Sequence, residues 1–421
     1  MSLPQRTADR NRPIAAVTIF DEDGGRTPCH AGDLRVRLEK ARQATAASFS
    51  AARVDLVAGV ASRILSLPKH LTAPGIVHFA YWTRRAALYR LGRSFQARLP
   101  DGCLAKPRGL AFHLPPQNVE AIFLYSWVIA FLTGNANIVR LPSELSPQIQ
   151  GVLDLFLEAL ASAAEDSQIF VTYPVSEDLN RDISAQSDVR LVWGGDAKVR
   201  AFAPLPLRHG GKAIWFGDRV SFAVLDGEAL VGLSPAAREE LVSRLYNDIF
   251  IFDQMACSSP QVIHVVGDRT RHGEAVARLL DDLDRVAARK NTVPATGQVI
   301  RKMTALCTLA GQGHAVEGKR LSNALTVATM AGGDFPIAAI GGGFLQIRYL
   351  SALDALSDRI AENHQTLTYF GFGQAELSRM AERSTGQGLS RIVPVGEALD
   401  FSAVWDGYDL PGELSRLVTI R

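Results

Sequence analysis

The stretch NDIFIFDQMACSSPQ, from Asn247 to Gln261, sets Cys257 between an apolar, aromatic run and a Ser-Ser-Pro turn. A cysteine so placed is either a small core residue or a nucleophile at the mouth of a loop. A thiolate is soft, accepts an acyl group and leaves well from a thioester. The other cysteines, Cys29, Cys103 and Cys307, show no C-x-x-C pairing and no metal-ligand spacing. All four read as free thiols in a reducing compartment. Asn118 follows Pro115-Pro116-Gln117, where the ordinary role of an Asn is to cap a helix. His364, in ENHQTLTYFGF, falls where a helix should run into a strand, so a satisfied polar His at a helix end is one reading of it.

The elements that must hold these residues alternate. GLAFHL reads as a strand, 119–132 as an apolar helix stopped by Gly134-Asn135, and NIVRL as a second strand. LDLFLEALASAAE is the next helix, followed by the strands QIFVTY and VRLVWGGD. A second set runs from RVSFAVLD through helix 235–247, PQVIHVVG and helix 272–288 to FLQIRYL, with late strands in GLSRIVPVG and LSRLVTIR. Strand–helix alternation at this spacing predicts an α/β fold with doubly wound parallel sheets. Residues 33–66 and 75–98 carry helical periodicity, and residues 1–30 read as a polar lead in which Arg6, Arg10 and Arg12 are solvated. The expected division is an N-terminal lead plus dinucleotide-binding domain over 1–212, a catalytic domain over 213–395, and a C-terminal segment over 396–421. The G-x-G-x-x-G fingerprint is absent, since GQGHAVEG and GFGQAE have the wrong third spacing. Strand ends and a helix N-terminus can bind a dinucleotide without it.

Composition narrows the classes. The formal net charge is +2 and 47% of residues are hydrophobic, so this is a folded chain with no basic excess for nucleic acid. The longest apolar run, VEAIFLYSWVIAFLTG, falls short of the roughly 20 residues that span a bilayer. No apolar signal segment opens the sequence, and the expected location is the cytoplasm.

GLAFHLPPQNVEAIFLYSWVIAFLTGNANIVRLPSELSP resembles the strand–Pro-x-Asn–helix–Gly-Asn–strand–Pro-Ser-Glu block of the aldehyde dehydrogenase superfamily. DQMACSSPQ, WGGD, FGDRVSFAV, HQTLTYFGF and RIVPVGEALDFSAVWDGYDL are similar to the long-chain fatty-acyl-CoA reductases of bacterial bioluminescence, the LuxC family. The resemblance implies an aldehyde dehydrogenase-like pair of sheets with a small oligomerisation element, for which LSRLVTIR is the candidate strand. It implies Cys257 as the nucleophile and the Asn118 amide as a donor to the oxyanion, with the Cys257 backbone N–H as second donor. Such a donor is worth about 3 kcal/mol of barrier. His364 is then a candidate proton donor or thiol activator. Trp405 and Tyr408 are candidate walls of an acyl tunnel, with aromatic packing as their alternative.

For the cofactor, Arg140, Pro142, Ser143 and Glu144 match the adenosine-ribose segment, with the family Lys aligned on Leu141. Gly194, Gly195 and Asp196 match the turn whose following helix faces the pyrophosphate, and Phe216 and Gly217 belong to the next motif. NADPH is the cofactor implied by the resemblance, with NADH possible, because Glu144 would repel a 2′-phosphate if turned to the ribose.

The family's water-activating Glu is missing. Its motif aligns on Trp215-Phe216-Gly217-Asp218-Arg219, or in a second register on Arg208–Lys212, and neither supplies the carboxylate. The second family Glu falls near Ala338. A site without that base should keep its thioester until hydride, not water, attacks. The expected reaction is NAD(P)H-dependent reduction of an acyl-CoA or acyl-protein thioester to an aldehyde. Aldehyde oxidation to an acid, and acyl relay without redox chemistry beside an acyl-protein synthetase partner, are the alternatives. The chain is also expected to form a homo-oligomer.

Overall fold

The computed structural model describes residues 17–21, 24–116, 119–331, 339–384 and 388–420. Two compact units emerge: the chain up to Gly217 joined by Leu410 onward, and the stretch Asp218–Asp409. Residues 396–409, expected in a C-terminal segment, are thus part of the second unit.

The first unit is built on β1 (Val17–Phe20), β2 (Arg26–Cys29), β3 (Cys103–Pro107), β4 (Leu110–Leu114), β5 (Ala136–Arg140), β6 (Gln168–Thr172), β7 (Val189–Trp193) and β8 (Lys212–Phe216). Its main sheet has the order β2-β1-β6-β5-β4-β7-β8. The strands from β6 to β8 are parallel, and β1 joins β6 antiparallel. The chain starts at β4, winds outward to β5 and β6, then returns to β7 and β8 on the other side. That reversal between β4 and β7 is the switch point of a doubly wound sheet, where ligands sit at the carboxyl ends of strands.

Residues 1–30 are not simply a solvated lead: 17–20 and 26–29 pair as an antiparallel hairpin at the sheet edge. Cys29 and Val17 are buried there. The strands are only four residues long and RTPC has weak β-propensity, so periodicity could not reveal them. Arg6, Arg10 and Arg12 lie outside the described residues. The apolar helix Ile122–Leu132 is buried from Phe123 to Leu132. It stops at Gly134, whose φ of 92° and approach to the Ala46 carbonyl leave no room for a Cβ.

The second unit carries β9 (Val220–Asp226), β10 (Pro260–Val266), β11 (Ala315–Arg320), β12 (Thr326–Met330), β13 (Phe344–Leu350), β14 (His364–Phe370), β15 (Arg391–Pro394), β16 (Val404–Trp405) and β17 (Tyr408–Asp409). Its sheet order is β11-β12-β13-β10-β9-β14-β15, parallel throughout except at β11. The helices Pro235–Phe250 and Arg269–Arg289 cover one face through Leu245, Ile249, Leu279 and Leu283. Phe222, Val262, Leu367 and Met380 fill the other. Burial on both faces explains the near-continuous apolar strands. A last strand, β18 (Ser415–Thr419), returns to the first unit and pairs antiparallel with β3.

Candidate active site

In the second unit, Cys257 follows the C-terminal end of helix Pro235–Phe250 and precedes β10. It therefore lies at the amino edge of the parallel sheet. Two consecutive non-glycine residues, Asp253 and Gln254, adopt left-handed backbone with φ of 51° and 58°. Such conformers cost about 1–3 kcal/mol each and persist only where surroundings enforce them. Two buried glutamines do so here. Gln254 Nε2 donates to Pro260 O (2.7 Å) and Phe344 O (3.0 Å), while its Oε1 accepts from the Gly343 and Phe344 amides. Gln261 Nε2 donates to Gln254 O at 2.9 Å, and its Oε1 accepts from Gly341 N. The Cys257 carbonyl is fixed by Ser221 Oγ at 2.6 Å, and that hydroxyl accepts from Thr366 N at 3.1 Å.

The thiol is half-buried and pushed up to about 11. Burial is the main cause and the charge of Asp406 the second, opposed by a hydrogen bond from the Gln365 side chain, the Cys257 backbone N–H and the charge of Arg391. The missing family Glu has no counterpart among these groups, but the charge of another carboxylate, Asp406, acts on the sulfur. Asp406 comes from the turn between β16 and β17, a stretch read only for its aromatic neighbours. Its side chain is 1% exposed and accepts from Arg219 Nε and Gln365 Nε2.

His364 opens β14, and its Nδ1 accepts from Ala361 N at 3.1 Å. Its ring stands 4.9 Å from that of Phe222, and burial, then Arg348, depress its basicity. Its neighbour Gln365, which the sequence did not single out, is buried and donates its Nε2 to Asp406 Oδ1 at 3.2 Å. Trp405 stacks on Phe401 with ring centroids 4.7 Å apart and pairs with Tyr408 across β16–β17. Asn118 and Ala338 lie outside the described residues. Cys29 is buried, Cys103 sits in β3 and Cys307 is exposed, and all four thiols are free.

In the first unit, a cleft of about 1070 Å³ opens at the carboxyl ends of β4, β5, β6 and β7. Leu114–Pro116, Arg140–Ser143, Thr172–Val175 and Gly194–Gly195 line it, joined by Thr18, Arg26 and Lys198. Of the expected cofactor residues, Arg140, Pro142, Ser143, Gly194 and Gly195 share this cleft, whereas Glu144, Asp196, Phe216 and Gly217 do not line it. Asp196 Oδ1 packs against Gly217, where an added Cβ would sit 2.5 Å away. Phe216 stacks on Trp193 at 3.6 Å.

Among the described residues that line the cleft, three are cations and none is a carboxylate. Arg26 Nη1 donates to Ser143 O at 3.0 Å, and Arg140 lies 4.5 Å over the Tyr173 ring. Lys198 Nζ donates to Leu114 O (3.0 Å), Pro115 O (2.7 Å) and Trp193 O (2.9 Å), tying the ends of β4 and β7 together. Burial, with Arg140 nearby, lowers this lysine to about 8. Gly194, at φ 149°, lets the backbone pass close to the Lys198 stem. Arg26 and Lys198 are additions to the expected set. The i+4 spacing of Lys198 from Gly194, over a helix start, was the signal available for it.

The sequence pattern of the family described as "Acyl-CoA reductase (LuxC)" matches residues 93–420, over three quarters of the chain. The chain belongs to this family. The "Long-chain acyl-protein thioester reductase" of Vibrio harveyi is 26% identical over 334 residues, covering 76% of this chain and 66% of that protein. The protein of the same name from Aliivibrio fischeri is 27% identical over 39% of this chain and 33% of its own length. The chain thus spans between a third and two thirds of the length of these curated relatives. Among solved structures, the "NAD-dependent benzaldehyde dehydrogenase from Corynebacterium glutamicum" superposes with a TM-score of 0.63 over 97% of this chain and 96% of that one, at 13% identity. PnpE from Pseudomonas sp. WBC-3 gives 0.62 over 96% and 93%, at 14% identity. The fold is that of the aldehyde dehydrogenases. No described helix is long and apolar enough to cross a membrane.

Proposed function

We propose that this chain reduces an acyl thioester, carried by CoA or by a protein, to an aldehyde through a thioester on Cys257. The observation that carries the reading is the built cysteine loop: two strained residues held by two buried glutamines, inside a LuxC-family match. In the acylation step, Cys257 Sγ bonds to the carbonyl carbon, the donor's C–S bond breaks, and the thiol proton passes to the departing sulfur. Asn118 and the Cys257 backbone N–H are proposed to donate to the oxyanion. A reduced nicotinamide, when bound, would supply the hydride that converts the acyl group to aldehyde. The first unit's cleft suits such a group, because its cations match a pyrophosphate.

A panel of acyl-CoA and acyl-protein donors, assayed for loss of reduced nicotinamide and for trapped aldehyde, tests the reading. Aldehyde oxidation without acyl-dependent reduction would favour the oxidising alternative. An acyl label on Cys257 that the reduced cofactor does not discharge would favour relay within a synthetase–reductase complex.

NADPH is the proposed cofactor, because Arg26 and Arg140 line the cleft and Glu144 does not. A charged hydrogen bond to a 2′-phosphate contributes about 1.5–3 kcal/mol. Arg26→Ala and Arg140→Ala should therefore each lower kcat/KM for NADPH relative to NADH by about 10-fold or more, and the double variant by about 100-fold or more. Equal losses with both cofactors would remove these arginines from the 2′-phosphate site. The proposed oligomer contact is the β3–β18 pair, which exposes Leu104, Leu417 and Ile420.

A further inference from the structure

Three consecutive glycines, Gly341–Gly343, hold left-handed backbone, with φ of 74°, 63° and 79°. A run of three such residues is routine only for glycine. The amides of this turn meet the loop ahead of Cys257. Gly342 N donates to Asp253 O at 2.7 Å, Gly343 N to Gln254 Oε1 at 2.9 Å and Gly341 N to Gln261 Oε1 at 3.2 Å. A Cβ at Gly341 would stand 2.6 Å from Met255 Sδ, and one at Gly343 would stand 2.1 Å from Ala324 O. The turn is therefore wedged between the cysteine loop and the entry to β12. Lys302 holds it there. It is the buried residue of the helix Thr296–Gly311, 1% exposed. Its Nζ donates to Gly342 O at 2.6 Å, Asn323 O at 2.7 Å and Ala324 O at 2.8 Å, which uses all three ammonium protons.

We propose that Lys302 is a positioning residue for Cys257: it fixes the Gly341–Gly343 turn, and the turn holds Asp253 and Gln254 in the left-handed backbone that presents the sulfur to an acyl donor. This rests on Cys257 being the acyl carrier. The route is made of direct contacts inside the second unit: Lys302 Nζ to Gly342 O, then Gly342 N to Asp253 O, with Cys257 four residues further on. Without the ammonium, three buried carbonyls lose their donor and the turn must move to separate or re-pair them. The Gly342 N–H carries that movement to Asp253, whose strained conformation needs an enforcing neighbour. Misplacing a reacting group by about 1 Å costs on the order of 10²-fold in rate.

Single-turnover acylation of Cys257 by a long-chain acyl thioester of N-acetylcysteamine, the chemistry shared by CoA and protein donors, tests this beside NADPH affinity and a thermal melt. Lys302→Met keeps the stem and removes the ammonium. It should slow acylation by on the order of 10²-fold and leave NADPH affinity unchanged. Met380→Ala, a cavity in the opposite face of the same unit, lowers stability without touching the turn and should acylate at the wild-type rate. Gly341→Ala leaves all three Lys302 acceptors in place but drives a methyl against Met255. It should slow acylation likewise, and it carries the test if Lys302→Met does not fold. A wild-type acylation rate in folded Lys302→Met or Gly341→Ala, or equal slowing in Met380→Ala, overturns the proposal. Failure of the Cys257 reading is seen separately, as a wild-type label that lies elsewhere than on Cys257.

Discussion

Cys257→Ser should lose acyl labelling altogether and lower acyl-thioester reduction by on the order of 10³-fold or more. The substitution changes one atom. The contacts that hold the loop run through the Cys257 carbonyl to Ser221 and through Gln254 and Gln261, so they persist. What is lost is a sulfur that attacks a thioester and leaves from it with comparable ease. A serine ester at the same place would be a trap, since an alkoxide is a far poorer leaving group. Single-turnover labelling with an acyl thioester, beside steady-state aldehyde production and a thermal melt, checks this. Turnover within tenfold of wild type in a folded variant would dismiss Cys257 as the carrier.

Acid should destabilise the two units unequally. In the first, His113 is buried with Nδ1 2.8 Å from Ser126 Oγ and Nε2 2.8 Å from Asn137 Oδ1. Burial lowers it from 6.5 to about 4, against the pull of Asn137. Above pH about 6.5 the ring is neutral in both states and its stabilisation is complete. Between there and about 4 the unfolded chain holds one more proton, so stability falls by about 1.4 kcal/mol per pH unit. In the second unit, His264 drops to about 3 through burial and the charges of Arg348, Arg359 and His364. Asp248 has the opposite sign. Burial raises it to about 7, despite hydrogen bonds from Gly396 N and Ala398 N, so the folded state holds the extra proton. His364 joins the first side of this balance, and Asp253 and Asp406 the second.

From pH 7 to 5 the first unit should therefore lose about 2 kcal/mol while the second stays nearly level. Asp248→Asn should abolish the compensation and make the second unit acid-labile as well. Proteolysis across a urea series at both pH values, with fragments assigned to each unit, measures this. Parallel losses in the two wild-type units would contradict it.

Most of the strands were legible because each parallel strand is buried on both faces and reads as a short apolar run between helical periods. GLAFHL, QIFVTY, RVSFAVLD and PQVIHVVG all gave strands close to their observed bounds. KAIWF is absent from the strands read in the sequence and is β8, the edge strand before Gly217. The two-strand hairpin at 17–29 was hidden by its polar composition. At the site, motif order located Cys257 and the Arg140–Ser143 segment, whereas Arg219, Gln365, Asp406 and Lys198 stayed unseen. Each acts by reaching a residue distant in the chain: Asp406 meets Arg219 across 187 positions, and Lys198 meets Leu114 across 84. Periodicity carries no information about such pairs, which exist only once strands from both ends of a unit are laid side by side.

Lys198 also constrains how cofactor choice can change. Its ammonium serves three strand-end carbonyls at once, so the charge that would attract a phosphate is the same charge that closes the floor of the cleft. Neutralising it leaves three acceptors facing one another where β4 and β7 part. Any drift or engineering toward a different dinucleotide is thereby channelled to the rim, where Arg26 and Arg140 can be exchanged without unfastening the strands beneath.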